Sequence, residues 1–78
     1  MPTVARDGPY DFKVYPREND FEAPHVHVWF GNEDVCRIEL NSGTYMDDPP
    51  PRRRNDILDA YRRHAITIRS EWDRLHGR

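Results

Sequence analysis

The chain has 78 residues, 36% hydrophobic and 33% charged, with a formal net charge of -2 and one cysteine, Cys36. Residues 1–78 support one domain, because two halves would each bury too little apolar surface to fold, and nine aromatic residues distinguish the chain from a disordered segment. The lone cysteine excludes a disulfide framework and a multi-cysteine zinc site, no apolar run approaches the roughly 20 residues of a membrane span, and Met1-Pro2-Thr3-Val4 does not open a signal peptide, so cytoplasm is the expected compartment.

Tyr10-Asp11-Phe12-Lys13-Val14-Tyr15 alternates and stops at Pro16, which has no ladder donor, and so predicts a first strand. Arg17 to Pro24 lacks periodicity and reads as a loop. His25-Val26-His27-Val28-Trp29-Phe30, β-branched and aromatic, predicts a second strand, and Gly31-Asn32 a hairpin turn. Val35 to Leu40 alternates as a third strand, halted by Asn41-Ser42-Gly43, with Thr44-Tyr45-Met46 as a candidate short fourth.

Alternation assigns the faces. Phe12, Val14, Val26, Val28, Phe30, Cys36, Ile38 and Leu40 share one side, and Lys13, Tyr15, His25, His27, Trp29, Val35, Arg37 and Glu39 the other. The opposite choice would bury Arg37 and Glu39. A three-residue turn sets His27 opposite Arg37 and His25 opposite Glu39.

Asp47-Asp48-Pro49-Pro50-Pro51 leads into a helix expected from about Pro51 to Leu75, since Pro51 suits the first helical position. Ile57, Tyr61, Ala65, Ile68, Trp72 and Leu75 form its apolar stripe and Gly77 its stop. The expected fold is α+β: an antiparallel sheet of three to four strands over about 10–46, with one long C-terminal helix packed on its apolar face.

The run Asn19-Asp20-Phe21-Glu22-Ala23-Pro24-His25-Val26-His27, with Gly31 soon after, resembles the signature of domain-of-unknown-function family 4160, roughly Asp-His-x-Pro-Pro-His-x-His before a glycine. The Met-Pro-Thr start, Ile38-Glu39 before a glycine turn, the proline-led helix and His64 eight residues before Trp72 are similar to that family too. Phe21 replaces the pattern's first histidine and Ala23 its first proline, so one ligand position of any metal site built on the cluster is lost. The resemblance implies a small bacterial protein, a component of a toxin-antitoxin-like gene pair beside another small protein, and therefore a protein partner.

His25 and His27, two apart in a strand, leave the same face, where two imidazoles and Glu39 could approach one metal ion. Arg37 alongside repels a cation and competes for Glu39, so no metal and no cofactor is assigned. The same pair fits general acid-base cleavage of RNA, with Arg37 steadying the phosphorane and Lys13, Tyr15 and Trp29 binding bases and backbone. His25, His27, Arg37 and Glu39 are thus the catalytic candidates and Lys13, Tyr15 and Trp29 the binding candidates. A polar face on which the histidines stack with Trp29 and bond Glu39 explains the same residues without catalysis.

His64 falls in the helix stripe and is expected in the core, away from the pair. Eleven of the twelve basic residues are arginine, and Arg52-Arg53-Arg54 sits at the unfavourable positive end of the helix dipole, neutralised by Asp47, Asp48 and Asp56. No phosphate loop, cofactor fingerprint or nucleophile elbow is present. Cys36, on the apolar face, is expected to be inert.

Two functions remain open: an interaction module acting through a protein partner or as a dimer, and a metal-independent ribonuclease using His25 and His27. Self-association is expected through Trp29, Tyr15 and Val35, which no second helix covers.

Overall fold

The computed structural model describes residues 3–16 and 22–77. Strands β1 (Thr3–Asp7), β2 (Tyr10–Lys13), β3 (His25–Phe30) and β4 (Glu33–Glu39) pair in chain order as an antiparallel sheet, and α1 (Arg54–Leu75) follows a 3-10 turn at Pro51–Arg53. This is the expected α+β architecture with differences at its ends. The sheet begins at Thr3, and the strand expected over Tyr10 to Tyr15 stops at Lys13. Gly8-Pro9 joins β1 to β2 with Asp7 opposite Tyr10, and Gly8 takes a φ of 55°, a region that a side chain disfavours. Thr44-Tyr45-Met46 is not a strand. It makes one bridge, Tyr45 to Ile38, while the Glu39 N–H donates to the Thr44 carbonyl at 2.8 Å and the Met46 N–H to the Arg37 carbonyl at 2.9 Å. The segment therefore covers half of the outer edge of β4, where open ladder groups would invite a foreign strand. Of the loop expected over Arg17 to Pro24, residues 17–21, including Phe21, lie outside the described residues.

The β3–β4 turn has two residues rather than three: Phe30 pairs with Glu33 across Gly31-Asn32, and Gly31 has a φ of 61°. Continued without interruption, that turn would set Val28 against Val35 and carry Arg37 onto the side of Val26. A bulge prevents this. The register moves from Trp29↔Asp34 to Val28↔Cys36, with Val35 as the extra residue. His27 then pairs with Arg37 and His25 with Glu39, as alternation requires.

On the helix side Phe12, Val14, Val26, Val28 and Ile38 are completely buried against Ile57, Ala60 and Ile68 of α1. The three-and-four spacing of Ile57, Ala60, Tyr61, Ile68 and Trp72 puts them on one face of α1. The start of α1 is tied down by polar contacts. Tyr10 Oη donates to Asp56 Oδ2 at 2.6 Å, Arg53 lies 4.1 Å over the Phe30 ring, and Tyr45 Oη donates to the Arg54 carbonyl at 2.6 Å. Arg53 and Arg54 of the basic cluster thus rest on the rings of Phe30 and Tyr45. Asp7, inward because it pairs with Tyr10, accepts two bonds from Arg63 at 2.8 and 2.9 Å. Its Oδ2 also lies 3.0 Å from His64 Nε2. His64 is accordingly half-buried at the β1 edge, its ring 6.4 Å from Phe12, and not in the centre of the core. Among the described residues, no helix is long and apolar enough to cross a membrane.

Candidate functional site

The histidines of β3 lie near the end of α1. His25 begins β3 and is 1% exposed. Its Nδ1 donates to the Ala23 carbonyl at 2.7 Å, because a carbonyl can only accept, which fixes the proton on that nitrogen. Its ring lies 5.6 Å from Trp72 and 5.2 Å from His27. Trp72 is stacked in turn by His76 at 3.6 Å and 15°, and His76 Nε2 donates to the Tyr15 carbonyl at 3.0 Å. Tyr15 closes the circuit, meeting the His27 ring edge-on at 4.8 Å. Five rings therefore run around the end of the sheet from α1 to its open face. The expectation that His25 shares an accessible face with His27 is corrected: strand parity puts them on the same side, but Trp72 reaches round the first residue of β3 and covers His25.

His27 stays on the open face, half-buried, with Nδ1 2.7 Å from Asp34 Oδ2. Arg37, its cross-strand neighbour, turns away from Glu39. Its Nε and Nη2 donate to the two oxygens of Asp47 at 2.8 and 3.0 Å, and its Nη1 donates to Glu22 at 2.6 Å. This fork holds the Asp47 carboxyl below its ordinary value of 3.8, against the opposing effect of burial, and raises the guanidinium. No ion pair joins Arg37 to Glu39 among the described residues. Glu39 instead uses its backbone to close the turn to Gly43 and Thr44. Lys13 and Trp29 form a unit, the ammonium 4.0 Å above the indole, whose buried Nε1 meets no acceptor among the described residues.

Of the seven candidate side chains, His27 and Arg37 line one shallow depression of about 630 Å³, shared with Glu22, Asp34, Val35, Cys36 and Asp47. Tyr15 flanks it through His27, whereas His25 and Glu39 do not line it. Three carboxylates surround one guanidinium that is already bonded to two of them, a potential that repels a phosphodiester. Among the described residues no three His, Cys, Asp or Glu side chains are grouped to hold a metal. Cys36 lies on the buried side as expected: it is 2% exposed, and burial pushes its thiol up to about 12, which disfavours the reactive thiolate.

Asp34, Asp47, Glu22, Trp72 and His76 are the residues that the sequence reasoning did not place here. Asp34 could be found only by taking the turn as two residues, which sets it opposite Trp29 on the face of His27, where a three-residue turn would set it opposite Phe30. Trp72 and His76, four apart across the C-terminal end of α1, are visible as a stacking pair but not as neighbours of His25.

Comparison with curated proteins finds no match, and neither does comparison with solved structures. A family model does match, over residues 10–73, and it takes in every strand but β1, the whole depression and the helix as far as the Trp72 that closes over His25. With most of its length inside that match, the chain belongs to the family described as Domain of unknown function (DUF4160).

Proposed function

We propose that this chain is a protein-interaction module, working with a second protein as one half of a toxin-antitoxin-like pair. The observation that carries the reading is the internal commitment of Arg37: the one guanidinium in the depression is forked onto Asp47 and bonded to Glu22. What it leaves facing outward is acidic. Such a rim attracts a basic segment of a protein and disfavours a polyanion, while Tyr15 and the Lys13–Trp29 unit supply aromatic area of the kind enriched at interfaces. Co-expression with the product of the neighbouring gene should yield a complex that co-elutes, and Asp34→Lys, at the exposed rim, should weaken it at least about tenfold.

Ribonuclease is the second reading, favoured by one observation. Asp34 holds His27 Nδ1 at 2.7 Å, as a carboxylate does when it orients an imidazole whose other nitrogen acts as base. Its weakness is His25, which at 1% exposure has no open route to a leaving oxygen. RNA cleaved equally with and without chelator, by the wild type but not by His27→Ala, together with no complex, would replace the first reading with this one. The expected result is a complex and no cleavage.

A further inference from the structure

We infer that the outer face of α1 is a self-association surface that takes a second copy of this chain in antiparallel register. It lies on the side of the molecule away from the acidic depression and does not depend on the proposed partner.

Among the described residues, Ile66 is the large apolar side chain left exposed, at 88%. It does not stand alone on its face. Arg62, Ile66, Arg69 and Asp73 recur at steps of four, three and four, the spacing of a seam between two helices. By helical geometry this line lies about 130° around α1 from the buried stripe. Beside it is a depression of about 440 Å³, with Leu40 and Tyr61 on one flank and Ile66, Arg69, Ser70 and Asp73 along the helix. Those four helical residues, at i, i+3, i+4 and i+7, are the frame of a hole that accepts one side chain from a facing helix. The floor is largely apolar, because Arg69 is drawn along the wall by its bond to Asn41 Oδ1 at 2.8 Å and presents its methylene stem.

Charge selects the occupant and its direction. Ile66 of a second copy fits a hole centred between Arg69 and Ser70. In antiparallel register this brings Arg62 of each copy level with Asp73 of the other, twice by two-fold symmetry. Arg62 is exposed and makes no ion pair among the described residues. Among the described residues Asp73 is held by Arg69 at 3.3 Å, an exposed link that leaves the carboxylate able to take a second cation. Parallel register would set Arg62 against Arg62 and Asp73 against Asp73, which repel.

The test is sedimentation of the full chain from micromolar concentration to the order of 100 μM, the range in which a small interface associates. A reversible monomer–dimer equilibrium is expected. Ile66→Lys should abolish it, and since the residue is almost wholly exposed, an unchanged circular dichroism spectrum and melting curve should accompany the loss. Arg62→Asp should raise the dissociation constant at least tenfold, and the double exchange Arg62→Asp with Asp73→Arg should restore most of it. Only monomer at the highest concentration would overturn the inference. So would a dimer that survives Ile66→Lys, or a double exchange no better than Arg62→Asp alone.

Discussion

The two sides of the sheet solve opposite problems with neighbouring residues. Phe12 and Lys13 are consecutive in β2, yet Phe12 is completely buried beneath α1 while Lys13 lies across the face of Trp29 on the open side. On the covered side the chain stabilises itself by removing apolar surface from water. On the open side it leaves polar and charged groups half-solvated and fixes them to one another, His27 to Asp34 and Arg37 to Asp47 and Glu22. The apolar core thus lies on one side of a single strand, and the paired charges and half-buried rings on the other.

The sharpest way to break that contrast is to truncate the two neighbours separately. Phe12→Ala should cost about 3–5 kcal/mol, a large part of the roughly 5–15 kcal/mol that holds a small domain folded. Lys13→Ala loses only a cation–π contact of about 0.5–1 kcal/mol. Denaturant midpoints measure both, and equal costs would erase the distinction between the sides. Cys36 gives an independent readout, because a buried thiol raised to about 12 reacts with a disulfide reagent only through opening of the fold. Labelling should be slow in the wild type and much faster in Phe12→Ala.

This division of labour is legible in the sequence because a wrong face assignment would bury Arg37 and Glu39, and no turn length removes that cost. The pairings of His25 with Glu39 and His27 with Arg37 follow from it, although the route runs through a two-residue turn and a bulge at Val35 and not through a longer turn. β1 is not legible from periodicity. Of Thr3-Val4-Ala5-Arg6-Asp7, the residues opposite Phe12 and Tyr10 are Ala5 and Asp7, so its inward face is small and charged where the rule looks for apolar bulk. Its signal is the Gly8-Pro9 turn ahead of Tyr10. The site is less legible than the fold. Strand parity places His25 correctly in direction, but its burial is decided by Trp72 and His76, more than forty residues away in sequence, and the partners of Arg37 come from the two loops that flank the sheet.

The ring circuit is where the two sides meet, and it has an intermediate effect to test. His76→Ala removes the stack on Trp72 and the bond to the Tyr15 carbonyl. Together these contribute about 1–2 kcal/mol. The loss should be local. Amide exchange should accelerate in the last turn of α1 near Trp72 while the amides around Ile57 keep their protection. A uniform acceleration along the helix would mean that the circuit holds the whole domain and not its end.

The smallest expected effect separates the ion pairs of the two sides by pH. Arg37 holds Asp47 below its ordinary value of 3.8, chiefly by their hydrogen bonds, and Arg63 does the same for Asp7 with His64 assisting. A carboxyl whose folded value is depressed binds fewer protons folded than unfolded across that interval. The stability it adds is therefore complete above the ordinary value and is lost as pH falls through the lowered one. Arg37→Met removes the cause on the open side, and Arg63→Met removes the larger cause beside α1. In each case the gap in denaturant midpoint between wild type and variant should be constant from neutrality down to about pH 5 and should narrow as the pH falls below the ordinary carboxyl value of 3.8. Because Asp7 keeps His64 when Arg63 is gone, whereas among the described residues the bonds depressing Asp47 come from Arg37, the gap above about pH 5 should be larger for Arg37→Met. A gap that persists unchanged well below the ordinary carboxyl value of 3.8 would show that Arg37 does not act through the charge of Asp47, and would remove the pairing of charges as the organising feature of the open face.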